Sequence, residues 1–105
     1  MNNKIDPIVS CLADTIKSRF REDIKDIILF GSRARGNARP DSDYDIIVLT
    51  AHWTKPLRDR ISEIAWEMGR GENVSISIFV HESERFERDK YEPLFMNIRK
   101  EGVSI

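Results

Sequence analysis

Two short stretches of this chain concentrate residue types that can do chemistry. The first is Gly31-Ser32-Arg33-Ala34-Arg35-Gly36, behind the apolar run Ile27-Ile28-Leu29-Phe30. The second is Ser42-Asp43-Tyr44-Asp45, which opens the run Ile46-Ile47-Val48-Leu49. A strand that ends in Gly-Ser with a helix behind it offers backbone N–H groups to an anion, and glycine lets the chain approach closely. Ser32 adds a hydroxyl donor for a phosphate oxygen. Arg33 and Arg35 add guanidinium groups able to pair with phosphate. On a helix, residues two apart splay, so the spacing favours one arginine at the phosphates without saying which. The stretch is not a Walker A loop, because it lacks the Gly-Lys-Ser/Thr ending.

Asp43 and Asp45 straddle Tyr44, and residues two apart on an extended strand share a face. Side by side, two carboxylates repel unless a cation sits between them. Mg²⁺ suits the place, since it takes oxygen ligands and shares its shell with substrate phosphates. Tyr44 points the other way and is expected to pack; Ser42 is expected to cap the loop or strand entry. Each stretch alone has a plain explanation, a glycine turn or a solvated acidic turn helped by Asp41. Their conjunction at the ends of neighbouring strands points to a nucleotide triphosphate held at one edge and a divalent metal at the other.

The elements that must position these groups can be read from periodicity. Asp6-Pro7 reads as a helix start, followed by the stripe Ile8, Leu12, Ile16 and Phe20 with Val9 and Ala13 beside it. Residues 27–30 and 45–49 read as buried strands. A short helix and a loop join them, through Gly36, Asn37, Pro40 and Asp41. Pro56 opens a second helix with the stripe Leu57, Ile61, Ile64, Ala65 and Met68, expected to close at Gly69 and Gly71. Residues 74–80 alternate as a half-exposed strand. Residues 82–90 read as a polar helix, and Pro93 starts a last helix with Leu94, Phe95 and Ile98 inward and Gly102 at its end. Three strands with helices between them predict a layered α/β domain with one small sheet.

The 105 residues leave room for one core, so residues 1–105 are expected to form one domain. A composition 40% hydrophobic and 33% charged suits a folded protein. A net charge of −1 gives no basic field, so direct nucleic-acid binding is not expected. Cys11 is the sole cysteine, which rules out an internal disulfide and fits a reducing compartment. The apolar runs fall far short of the ~20 residues a membrane helix needs. Met1-Asn2-Asn3-Lys4 has no apolar signal segment, so a cytoplasmic location is expected. His52 and His81, each placed just past a strand and without a second histidine at metal spacing, are expected in exposed loop roles. Trp66 is expected in the core or facing a partner, and Trp53 is the better candidate to stack on a base. Lys55 and Arg39 are read as solvated cations.

These residues resemble the nucleotidyltransferase superfamily that includes DNA polymerase beta, and most of all its minimal members, the MNT proteins. The shared pattern is the Gly-Ser turn, the Ala-Arg-Gly stretch, a spacer, then Ser-Asp-x-Asp before an apolar strand. The ending Ile98-Arg99-Lys100-Glu101-Gly102-Val103 also looks like the family's. The resemblance implies an α/β (α+β) fold with a small mixed sheet and helices packed on it. It implies transfer of a nucleoside monophosphate, AMP foremost, from ATP or another NTP bound with Mg²⁺, with Mn²⁺ as the alternative ion. Gly31, Ser32, Arg33 and Arg35 would hold the nucleotide; Asp43 and Asp45 would ligate metal and carry catalysis. A HEPN-domain toxin is the implied partner, the chain acting as its antitoxin by modifying it.

One departure is visible. The family pattern has a third carboxylate on a later strand, where this chain offers Ser75 and Ser77. A serine is a weak neutral ligand, so loss of the acid is expected to weaken the hydroxyl-activating ion more than the nucleotide-bound one. That leaves two readings: an attenuated enzyme, or a degenerate module that neutralises its partner by contact. An antibiotic-modifying activity is disfavoured, since no second domain is seen to build an acceptor pocket.

Overall fold

The computed structural model describes residues 6–105; the first five residues, including the start of the expected domain, lie outside it. The opening helix, α1 (Pro7–Phe20), begins where the Asp6 carboxylate accepts the Ile8 N–H at 2.8 Å, and it buries Val9, Leu12, Ala13 and Ile16. A single 3₁₀ turn at Arg21–Asp23 leads into β1 (Ile24–Phe30), longer than the apolar run because its first residues pair with the far end of the next strand. The short helix α2 (Ser32–Arg35) and a loop precede β2 (Tyr44–Thr50).

Helix α3 (Lys55–Glu72) starts at Thr54, whose hydroxyl accepts the Leu57 N–H. It runs through both glycines expected to close it and stops at Asn73, which takes the left-handed conformation at φ 58°. Asparagine tolerates that conformation and so serves as the cap. Gly69 serves packing instead. It is buried where α3 meets the chain leading to the next strand, and an added Cβ would lie 2.8 Å from the Val74 carbonyl oxygen. Then come β3 (Ile76–Glu82), α4 (Ser83–Arg88), α5 (Pro93–Glu101) and β4 (Val103–Ser104).

Among the described residues the sheet has four strands, one more than periodicity predicts, in the order β3-β2-β1-β4. Strand β4 is too short to show any period; it exists because it pairs antiparallel with β1 at Ile28 and Leu29. β1 and β2 are antiparallel while β2 and β3 are parallel, so the sheet is mixed. Alternation along the strands divides the core in two. Ile27, Ile46 and Val48 pack with α1 and α3 on one face; Ile28, Phe30, Ile47 and Leu49 pack with Phe86, Phe95 and Ile98 on the other. The sheet is thus sandwiched, and polar residues collect at the end where β1 leaves and β2 enters.

Candidate active site

At that end β1 gives way to a turn. Gly31 has φ 79°, a conformation that side chains resist, and its carbonyl accepts from Ala34 and Arg35 N–H at 3.0 and 3.1 Å. Gly36 closes α2 with φ 82°. A second constraint acts on Gly31: a Cβ there would collide with Oδ2 of Asp45. Phe30 and Asp45 are register partners across β1 and β2, so the carboxylate lies directly against the turn. The two sequence stretches therefore converge on one place.

Asp45 is half-buried and shares the face of Ile47 and Leu49, while Asp43, just before β2, is exposed. Burial raises the carboxyl of Asp45 above its ordinary range, and the nearby charges of Asp43 and Glu101 raise it further, against Arg35. A carboxylate so crowded by like charge is stabilised by any cation that joins it. Asp45 against a turn that excludes a Cβ, with Asp43 near enough to act on its charge, thus fits a hard divalent ion carried in with a polyphosphate. Among the described residues no group of three or more His, Cys, Asp or Glu side chains is placed to hold a metal, so substrate oxygens would have to complete the shell.

The two arginines do different things. Arg33 donates from Nε and Nη2 to the Ser42 carbonyl at 3.2 and 2.8 Å and from Nη2 to the Pro40 carbonyl at 3.2 Å. Its guanidinium lies 4.1 Å from the centre of the Tyr44 ring. It therefore pins the loop that carries Asp43. Arg35 donates to both oxygens of Glu101, at 3.0 and 3.1 Å, and Oε2 of the same glutamate accepts the Gly31 N–H at 2.8 Å. Glu101, the last residue of α5, thus joins the candidate site, and sequence reasoning misses it. Its signal lies in the family-like ending, but no local pattern links it to a turn 70 positions earlier.

Tyr44 points away from the acids as expected. It is 2% exposed and donates its hydroxyl to Oδ2 of Asp6 at 2.6 Å, so the residue that caps α1 also anchors β2. The Ser42 hydroxyl accepts the Arg39 N–H at 2.8 Å and caps the loop. Ser75 and Ser77 prove unequal. Ser75 precedes β3, and its carbonyl accepts the Tyr44 N–H at 2.9 Å; Ser77 lies within β3 in register with Asp45. Glu72 ends α3.

His81 belongs to β3 and not to a loop: it is half-buried, edge-on to the Phe95 ring at 5.3 Å, and burial lowers its pKa. Sequence alternation misses this because the strand runs two residues further than its apolar part. His52 is exposed in a bend. Trp53 lies past the far end of β2, and the strand from Asp45 to Thr50 alone spans about 17 Å at 3.3 Å per residue. It cannot stack on a base held at the acids. Trp66 is 62% exposed and so lies outside the core.

The sequence pattern of the nucleotidyltransferase domain family matches residues 9–102. Over 36 residues, 34% of the chain, the sequence is 50% identical to a candidate protein adenylyltransferase of Methanocaldococcus jannaschii; the matched stretch spans only 36% of that relative's length. A toxin-antitoxin crystallised with AMP-PNP superposes with a TM-score of 0.64 at 20% identity, over 90% of this chain and 69% of that one. A candidate minimal nucleotidyltransferase superposes with a TM-score of 0.60 at 22% identity, over 99% of this chain and 100% of its own. At these identities the likeness extends to the fold.

Proposed function

The chain belongs to the nucleotidyltransferase domain family, and from that premise we propose that it binds Mg·ATP at the Gly31 turn and transfers AMP to a hydroxyl of a partner protein. The observation that carries this reading is the contact between Gly31 and Asp45, where one acid of the pair lies so close to a phosphate-type turn that a Cβ would not fit. Asp43 and Asp45 would hold the divalent ion, Mg²⁺ or Mn²⁺, which when bound neutralises phosphate charge. Ser32 donates its hydroxyl to a phosphate oxygen. Glu101 keeps Arg35 beside the turn, and Arg33 keeps the Asp43 loop in place. In the transfer, the acceptor oxygen bonds to the α-phosphorus, the bond to the bridging oxygen breaks, and pyrophosphate leaves. The hydroxyl proton passes to a carboxylate of the pair.

The partner we propose is a HEPN-type toxin, with this chain as antitoxin, in the cytoplasm. Support comes from the fold shared with a toxin-antitoxin bound to AMP-PNP and from the stretch shared with a candidate protein adenylyltransferase. Ser77 pairs with Asp45 across β2 and β3 and brings no third carboxylate to that position, which supports slow transfer by the isolated chain. The same observation favours a second reading, neutralisation by contact alone.

Incubation with α-labelled ATP and Mg²⁺, with and without a HEPN-type toxin, separates the two. Label on the partner, lost in Asp43→Ala and Asp45→Ala, is expected. Neutralisation without label, surviving both substitutions, would establish the contact reading in its place.

A further inference from the structure

The Glu101 carboxylate holds two groups that a bound nucleotide also needs. Its Oε2 accepts the Gly31 N–H at 2.8 Å, and its two oxygens accept from Nη1 of Arg35 at 3.0 and 3.1 Å. One N–H aims well at only one acceptor, so a phosphate oxygen seated on the Gly31 amide must take the place of Oε2. Carboxylate and phosphate both form charge-assisted bonds to such donors. The chain thus seats an anion of its own at the turn where the nucleotide reading places a phosphate. Three features let this contact open. Arg35 gives the pair only one of its nitrogens, short of the parallel two-bond grip that makes arginine pairs strong. The side chains of Arg35 and Glu101 are 47% and 22% exposed, so water competes for both. Among the described residues no three acids are placed to hold an ion, so Glu101 does not join Asp43 and Asp45 in a metal shell.

The contact also reaches beyond the turn. Glu101 ends α5, and β4 begins at Val103 after the single residue Gly102. That connection has no slack, since a Cβ on Gly102 would collide with the Ile98 carbonyl oxygen and the Ile28 side chain. Strand β4 has two residues; Val103 is paired with Leu29, and just beyond it the Ile105 N–H donates to the Ile27 carbonyl at 2.8 Å. Glu101 therefore fixes the helix end from which this short strand starts.

We propose that Glu101 is an internal competitor for the nucleotide: its carboxylate closes the phosphate donors of the turn, Mg·ATP displaces it, and its release loosens β4 against β1. This rests on the nucleotide-binding reading above and adds what the phosphates must displace. The same contact keeps Arg35 beside the turn until a phosphate replaces the carboxylate. Once Arg35 turns to a phosphate, Glu101 faces that phosphate as a like charge and is driven outward. A contact closed about nine-tenths of the time weakens the apparent affinity about tenfold.

The test is calorimetry on the intact chain with two ligands, Mg·ATP and magnesium tripolyphosphate, which has neither base nor ribose. Glu101→Ala removes the competing carboxylate. Glu101→Gln removes its charge but keeps an oxygen able to accept the Gly31 N–H. Folding of each variant is checked by circular dichroism. Both ligands are expected to bind Glu101→Ala about tenfold tighter than the parent, with Glu101→Gln in between. In the parent, saturating Mg·ATP is expected to quicken amide hydrogen exchange at Val103 and Ile105 while slowing it along β2. In the variants those two amides are expected to exchange fast with or without the ligand. Unchanged or weaker binding by Glu101→Ala overturns the proposal, since Glu101 then only holds the donors in place. Equal tightening in both variants also overturns it, by reducing the effect to charge repulsion. Should Glu101→Ala fail to fold, exchange in the parent decides, and slowed exchange at Val103 and Ile105 overturns the proposal. Absence of Mg·ATP binding in the parent and both variants removes the nucleotide reading and the competitor with it; binding by the parent without tightening in Glu101→Ala removes only the competitor.

Discussion

Gly31 and Asp45 constrain each other. Gly31→Ala would place a methyl group into the Asp45 carboxylate and force an ordinary residue to φ 79°. We expect it to cost about 1–3 kcal/mol of stability and to abolish Mg·ATP binding, read by urea unfolding and calorimetry. Burial and the neighbouring acids disfavour the charged form of Asp45 in the folded state. Its carboxyl is raised above the unfolded value, so the folded state binds the proton more readily. Its contribution therefore becomes less favourable as pH rises from the unfolded value through the raised one. Asp45→Asn is expected to remove that slope and raise the thermal midpoint without metal, while losing stabilisation by Mg²⁺. Glu101 acts with the opposite sign: Arg35 and then the Gly31 N–H lower its carboxyl, so its contribution is present above the unfolded value and lost as pH falls through the lowered one. Comparing the Asn variant with the parent across pH isolates Asp45. Ser77→Asp would set a third carboxylate in register with Asp45. The expected result is a lower midpoint without metal, from like-charge repulsion, and tighter Mn²⁺ binding by calorimetry.

The elements act on the site through their ends. Helix α3 passes Gly69 close under the Val74 carbonyl, and the next residue, Ser75, pairs with Tyr44 at the entry to β2. Gly69→Ala puts its methyl 2.8 Å from backbone that cannot swing away. A loss of about 1–3 kcal/mol is expected from such overpacking, measured by denaturant unfolding, with Mg·ATP binding weakened because the β2–β3 register flanks the acids. A stability loss with unchanged nucleotide binding would show that this junction does not position the site. Helix α5 also works through its end: Glu101 ties it to both the turn and α2, and β4 follows at once to pair with β1.

For the molecule as a whole, a ligand held by β1, α2 and β2 at once should stabilise the entire cooperative unit. At a Mg·ATP concentration of 100 times Kd, binding adds about 2.7 kcal/mol, a rise in thermal midpoint on the order of 10 °C for a domain of this size. Scanning calorimetry should show that rise in the parent and none in Asp43→Ala or Asp45→Ala. The candidate site is legible in the chain because its pattern is local: Gly-Ser behind an apolar run and Asp-x-Asp before another each declare a strand end within a few residues. Helices α1, α3 and α5 are legible for the same reason, through caps and stripes. Strand β4, the inclusion of His81 in β3 and the true end of α3 are not, since each depends on a neighbour distant in sequence. The pairing of Ser77 with Asp45 and the hold of Glu101 on Gly31 belong to the same class. Turn and strand propensities act between adjacent residues, so sequence declared which groups could bind a metal-polyphosphate. Register and clasp arise only when segments far apart in the chain pack on one sheet, so tertiary structure alone decided which serine faces the acids and which glutamate holds the turn.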